Sequence, residues 1–179
     1  MLGGINDLLP EPISEANEKV LLELLKRKMM SASRVSVELL SAMEERFGPE
    51  AREVARDMVS GQRPAPRRKV ARLEEDLREF TANLEKNCVG SHRWVRVIDE
   101  PDRVGYFFTK CLWSEIYNEL GEPELGLYFC AGDEPEVRSY NPKLGLKRTK
   151  VKMTGDEVCD HVFYVEKQGN DGGSRAGRT

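Results

Sequence analysis

Three of the four cysteines in this chain each stand close to an acid: Cys111 lies four residues before Glu115, Cys130 three before Asp133, and Cys159 directly before Asp160 and then His161. A soft sulfur beside a hard carboxylate, repeated three times, suggests a polar pocket. Water attack on a polarised carbon needs a general base for the water and an acid for the departing atom, and Glu115, Asp133 and His161 are the candidates. A cysteine would attack only as thiolate, which requires a neighbouring cation or a helix N-terminus; acids beside Cys130 and Cys159 oppose this, and Cys111, at the start of an expected helix, is better placed. Arg138 and Arg148 could hold a substrate carboxylate bidentately, or could equally be ordinary surface pairs. If the thiols hold a metal, Cys111, Cys130, Cys159 and His161 would form a Cys3His set for zinc or iron, although only Cys159-x-His161 has a close ligand spacing. The plain alternative is that the thiols are small buried hydrophobes. Cys88, with no acid or histidine near it, reads as structural.

The elements that must position these residues follow from periodicity. Residues 12–60 read as two helices. Ser14 caps the first, with Val20, Leu21, Leu24 and Leu25 along one face; Ser33, Val37, Leu40, Met43 and Phe47 mark the second, and Gly48-Pro49 punctuates it before a helical pattern resumes at Glu50. Their apolar stripes are longer than a small sheet can cover, which predicts a homodimer through residues 14–60. Gly61–Lys69, with two prolines and four basic residues, is the expected linker. A third helix runs through Leu73, Leu77, Phe80 and Leu84.

From His92 the period becomes two. HRWVRVID and RVGYFFTK flank Glu100-Pro101-Asp102 as a hairpin. Cys111–Leu120 is then a helix with Leu112, Trp113, Ile116, Tyr117 and Leu120 on its apolar face and Cys111 with Glu115 on the other. After Gly121-Glu122-Pro123 a short helix delivers Cys130, and Ala131-Gly132-Asp133 reads as a loop. LGLKRTKVKM and EVCDHVFYVE, joined at Thr154-Gly155-Asp156, form a second hairpin whose last strand turns Cys159, His161, Phe163 and Val165 to one side and Asp160 to the other. On that apolar side His161 reads first as a satisfied, half-buried residue. The expected fold class is α+β: an antiparallel sheet of about four strands with packed helices, a helical region over 1–65, an α+β domain over 66–167 and a disordered tail over 168–179.

Composition narrows the function classes. A net charge of −3 over 179 residues provides no basic surface for nucleic acid or an anionic membrane, and no glycine-rich phosphate loop joins a strand to a helix. The start MLGGINDLLPEP has neither a basic nor a long apolar segment, which predicts a cytoplasmic protein with reduced thiols.

The C-terminal block, residues 92–166 and about half the chain, resembles the L-2-amino-thiazoline-4-carboxylic acid hydrolase-like family. The resemblance rests on Cys111 and Glu115, the GEPEL turn, Cys130 with Asp133, and the stretch LKRTKVKMTGDEVCD ending at Cys159-Asp160. It implies hydrolysis of a small carboxylate-bearing heterocycle, in which water opens a cyclic thiazoline at its amidine-like carbon to a carbamoyl-cysteine. The implied site is Cys111, Glu115, Cys130, Asp133 and Cys159, with Arg138, Arg148 and His161 binding substrate; no cofactor is required, and zinc or iron would be the metals if one is used. His161 stands where an apolar residue is expected. The same layout is similar to small-ligand sensor domains of the 4-vinyl-reductase type, where a cysteine-bearing helix and a Gly-x-x-Cys hairpin bind a ligand without converting it; Gly155 to Cys159 fits that pattern with one extra residue.

Overall fold

A computed structural model describes residues 3–61 and 72–166. Strands β1 (His92–Glu100), β2 (Arg103–Cys111), β3 (Leu144–Lys147) and β4 (Cys159–Val165) form one antiparallel sheet in the order β1-β2-β4-β3. Helices α1 (Glu15–Phe47), α2 (Glu50–Ser60), α3 (Leu73–Cys88), α4 (Leu112–Glu119), α5 (Pro123–Ala131) and α6 (Asp133–Tyr140) accompany it, with Val95, Val97 and Phe107 of the opposite sheet face exposed, so the class is α+β. The linker expected at 61–69, beyond Gly61, and the tail expected at 168–179 lie outside the described residues.

Period-two alternation makes one sheet face apolar, and register stacks those residues across strands: Val104 lies opposite Phe163, Tyr106 opposite His161 and Phe108 opposite Cys159. Helix α3 closes this face with Leu77, Phe80 and Leu84, spaced three and four apart, and Leu77, Val104, Tyr106 and Phe163 are essentially inaccessible to solvent. Asp160 points away, as the alternation predicts. Its carboxylate accepts hydrogen bonds from the Thr149 and Lys150 amides at 2.7 and 2.5 Å, and Asp156 accepts one from the Val151 amide at 2.7 Å.

Those side-chain acceptors explain one departure from expectation. The strand expected to run through Met153 ends at Lys147, because the amides that would continue the ladder are taken by Asp156 and Asp160; the chain instead forms a loop with a 3-10 turn at Lys152–Thr154. Three other elements also differ. The first helix runs unbroken to Phe47, since residues 28–33 contain no glycine or proline; it stops only at Gly48, whose φ of 87° is readily adopted by glycine alone. Asp133 is not in a loop but opens α6, where acids in the first turn suit the helix N-terminus and Pro135 falls where its missing N–H costs nothing. On α4, Ser114 is buried while Trp113 is 39 % exposed and stacks on Phe129 of α5, with ring centroids 6.3 Å apart.

The N-terminal helices are fastened to this body. Ser14 caps α1, its Oγ accepting from the Asn17 amide at 3.3 Å. Leu40 is buried with Tyr117, Leu125, Tyr128 and Met153 in a second apolar cluster. Arg52 of α2 donates to Glu44 of α1 at 2.8 Å and to Glu122, in the GEPEL turn, at 3.1 Å. Within that cluster a Cβ on Gly126 would lie 2.5 Å from the Met153 terminal methyl and 3.0 Å from Tyr117 Cβ, so glycine is what lets α5 approach the 3-10 turn. No helix among the described residues is long and apolar enough to cross a membrane.

Candidate functional site

A cavity of about 430 Å³ opens between the second half of α3, the apolar sheet face and helices α4–α6. Its walls combine aromatic rings with an unusual concentration of reactive side chains. The chain contains four cysteines and two histidines, and all six line this one cavity.

They arrive on five different elements of the fold, counting Cys159 and His161 together on β4. Cys88 ends α3, and His92 opens β1 four residues later. Cys111 closes β2 and caps α4, while Cys130 lies on the last turn of α5, next to Asp133 at the start of α6. Cys159 and His161 are neighbours on the buried face of β4. The loop held by Asp160 brings Arg148 to them. Its guanidinium donates from Nη1 to Asp133 Oδ2 at 2.6 Å and from Nη2 to the Cys130 carbonyl at 3.0 Å. His161 Nε2 lies 3.4 Å from both Asp133 Oδ2 and Arg148 Nη1. Asp133 Oδ1 has no partner among the described residues. Loop, strand and two helices thus meet at one acid, one cation and one imidazole.

Of the residues singled out in the sequence, Cys111, Cys130, Asp133, Arg148, Cys159 and His161 line the cavity, and two do not. Glu115 turns outward and faces Lys110 Nζ at 3.9 Å. Arg138 pairs with Glu134 on its own helix and with Glu166 at 2.9 Å. Neither is available to a ligand in the cavity. Of the three cysteine–acid pairs, only Cys130 with Asp133 places both members at the wall; Asp160 holds the Arg148 loop. Cys88 and His92, which carried no expectation of a role, are the additions. The signal that could have found His92 was the HRWVRVID alternation, which turns it to the same side of the sheet as Trp94; Cys88 lies on α3, outside that stretch.

His161 is not the satisfied residue expected of its apolar strand face. Its Nδ1 is buried without a hydrogen-bond partner in the described structure. Its ring meets Phe108 edge-on at 5.0 Å and stacks on Phe163 at 6.0 Å.

Burial decides the protonation state of the thiols. Cys111 receives help from the Ser114 and Trp113 amides at the start of α4, the environment expected to activate it, yet desolvation outweighs them and pushes its thiol up to about 11. Burial pushes Cys130 up to about 12, with the Asp133 carboxylate adding to the effect and Arg148 opposing it. Cys88 also rises to about 12, chiefly by burial. Cys159 moves upward for the same reason, against the Lys152 amide that donates to its Sγ at 3.1 Å. All four are thiols at neutral pH. Among the described residues no group of three or more histidine, cysteine or acidic side chains is arranged to hold a metal ion.

A family model described as L-2-amino-thiazoline-4-carboxylic acid hydrolase matches residues 27–163, well over half of the chain. The chain belongs to the L-2-amino-thiazoline-4-carboxylic acid hydrolase family. The matched span begins within α1 and ends at Phe163 of β4, so it includes every wall of the cavity, the later part of α1 and all of α2. No curated protein matches the chain.

Proposed function

We propose that the cavity hydrolyses a small, carboxylate-bearing cyclic amidine of the 2-amino-thiazoline-4-carboxylate type. The observation that carries this reading is the Asp133–Arg148–His161 cluster, set in a wall rich in aromatic rings and protonated thiols. Water adds to the ring carbon between nitrogen and sulfur as Asp133 takes its proton; the bond from that carbon to a ring heteroatom then breaks, and the departing atom takes a proton relayed through His161. Water is consumed and a carbamoyl-cysteine is released. Arg148 keeps Asp133 aimed and offers its remaining N–H to the substrate carboxylate. The flat Trp113–Phe129 stack at the cavity wall suits a planar heterocycle. Covalent catalysis by cysteine is disfavoured, since burial holds the thiols protonated.

Incubation with L-2-amino-thiazoline-4-carboxylate, followed by mass spectrometry, is expected to yield a product heavier by one water. Asp133→Asn keeps the shape of the side chain but not the base, and is expected to lower turnover at least about 100-fold while the fold persists. Full activity in that variant would remove Asp133 from its role. Stoichiometric binding without conversion by the unmodified protein would instead support a sensor of the 4-vinyl-reductase type.

A homodimer belongs to the same proposal. Val20, Leu24, Val35 and Leu39 of α1 are more than half exposed, at 57, 52, 63 and 60 %, and a second copy of this helix is the proposed cover. Light scattering at micromolar concentration is expected to give twice the chain mass, and a monomer would end this idea.

A further inference from the structure

The hydrogen bonding around His92 points to one tautomer, and that tautomer matters for what the cavity accepts. The Ser91 hydroxyl donates to the Cys88 carbonyl at 3.1 Å and lies 2.9 Å from His92 Nδ1. A hydroxyl has a single proton. With that proton assigned to the carbonyl, the oxygen presents lone pairs to the ring, an arrangement that places the N–H on Nδ1 and the bare lone pair on Nε2. Nε2 has no hydrogen-bond partner among the described residues, nor is it one of the fully enclosed polar atoms, and His92 lines the cavity. It is therefore an acceptor open to the cavity.

The surroundings keep it an acceptor. Burial pulls the ring down to about 4, reinforced by His161 and opposed by Asp133, so the imidazole is neutral at physiological pH. Phe108 stands between the two histidines in sheet order, meeting His92 at 5.5 Å and His161 at 5.0 Å, both edge-on. One wall thus offers a neutral lone pair, and the Arg148 region offers cationic donors.

We propose that His92 is the specificity-determining residue for the amidine end of the ligand: its Nε2 accepts a hydrogen bond from the exocyclic N–H of a cyclic amidine whose carboxylate lies towards Arg148. This rests on the reading of the cavity as a cyclic-amidine site. A neutral acceptor suits a ring bearing N–H donors, protonated or not, whereas an imidazolium would repel it. An analogue without the amino group leaves Nε2 unpaired in a partly desolvated wall, which is how a polar group rejects a near-isostere.

The test uses two stable aromatic probes that differ only in that group, 2-aminothiazole-4-carboxylate and thiazole-4-carboxylate, with dissociation constants measured by calorimetry. The unmodified protein is expected to bind the amino probe at least about tenfold more tightly. His92→Phe is expected to lose that preference while holding thiazole-4-carboxylate as before, and His92→Gln to retain part of it, because a side-chain carbonyl can replace the Nε2 lone pair. A preference that survives in His92→Phe overturns the inference. Equal, measurable binding of both probes by the unmodified protein overturns it too, and leaves the cyclic-amidine reading standing; binding of neither overturns both. The imidazole nitrogen NMR spectrum of the unmodified protein requires no variant. There the His92 Nε2 resonance is expected to be that of an unprotonated nitrogen and to shift on adding the amino probe alone; a protonated Nε2 in the free protein contradicts the assignment.

Discussion

Arg148→Met is expected to lower kcat/KM for 2-amino-thiazoline-4-carboxylate by about 100-fold or more, the scale of losing a preorganised charged donor from an active site. The guanidinium performs two tasks at once, one nitrogen on Asp133 Oδ2 at 2.6 Å and the other on the Cys130 carbonyl at 3.0 Å. Without it Asp133 loses its orientation, and on the proposed reading the substrate carboxylate loses its counter-charge. Arg148→Lys is expected to recover little, because a single ammonium on a flexible stem cannot reproduce a planar fork. Stability should respond far less. Asp133 keeps 40 % of its side-chain exposure, so water screens the pair and its loss costs on the order of 1 kcal/mol. The check is steady-state kinetics beside a thermal melt: unchanged kcat/KM would remove Arg148 from the site, and a collapsed melt would assign it to the fold.

Phe163→Ala is expected to do the reverse, destabilising the protein by about 3 to 5 kcal/mol. Phe163 is 1 % exposed, near the end of β4, with its ring 5.4 Å from Phe80 of α3 and 6.1 Å from Tyr106 of β2, so its removal opens a void where helix and sheet meet. Close-packed neighbours collapse only partly into such a space. Urea denaturation measures the loss as a lower midpoint at unchanged slope. A cost below about 1 kcal/mol would show that the α3–sheet contact is not where the stability resides. Phe163→Leu, which keeps most of the volume, is expected to recover the greater part.

The difference between these two residues tracks what could be read along the chain. Phe163 and Tyr106 declare themselves core because period-two alternation is a property of the chain alone: successive side chains of a strand point to opposite faces whatever surrounds them. The same logic predicts the β1–β2 hairpin and the outward turn of Asp160, and an equally local rule of helix capping predicts the Ser14 cap. Local rules also mislead where a tertiary partner intervenes. Asp156 and Asp160 take amides that would otherwise extend β3, and the turn-like Gly-Asp-Glu-Pro sequence opens a helix because its acids and proline all fall within the first turn, where they are tolerated or favoured.

The sequence by itself determined the α+β class, the apolar sheet face, the family resemblance and the pairing of Cys130 with Asp133, since each depends on residues within a few positions of one another. Only the tertiary structure decided which chemistry-bearing residues meet. It brings Cys88 and His92 to the wall that Cys159 and His161 share, turns Glu115 to Lys110 and Arg138 to Glu166, and swings Arg148 onto Asp133, 15 residues away in sequence. It also decided the state of the thiols. A helix start beside Cys111 can be anticipated from spacing, but the degree of burial that overrides it is a property of the closed cavity, formed only when α3, the sheet and α4–α6 pack together.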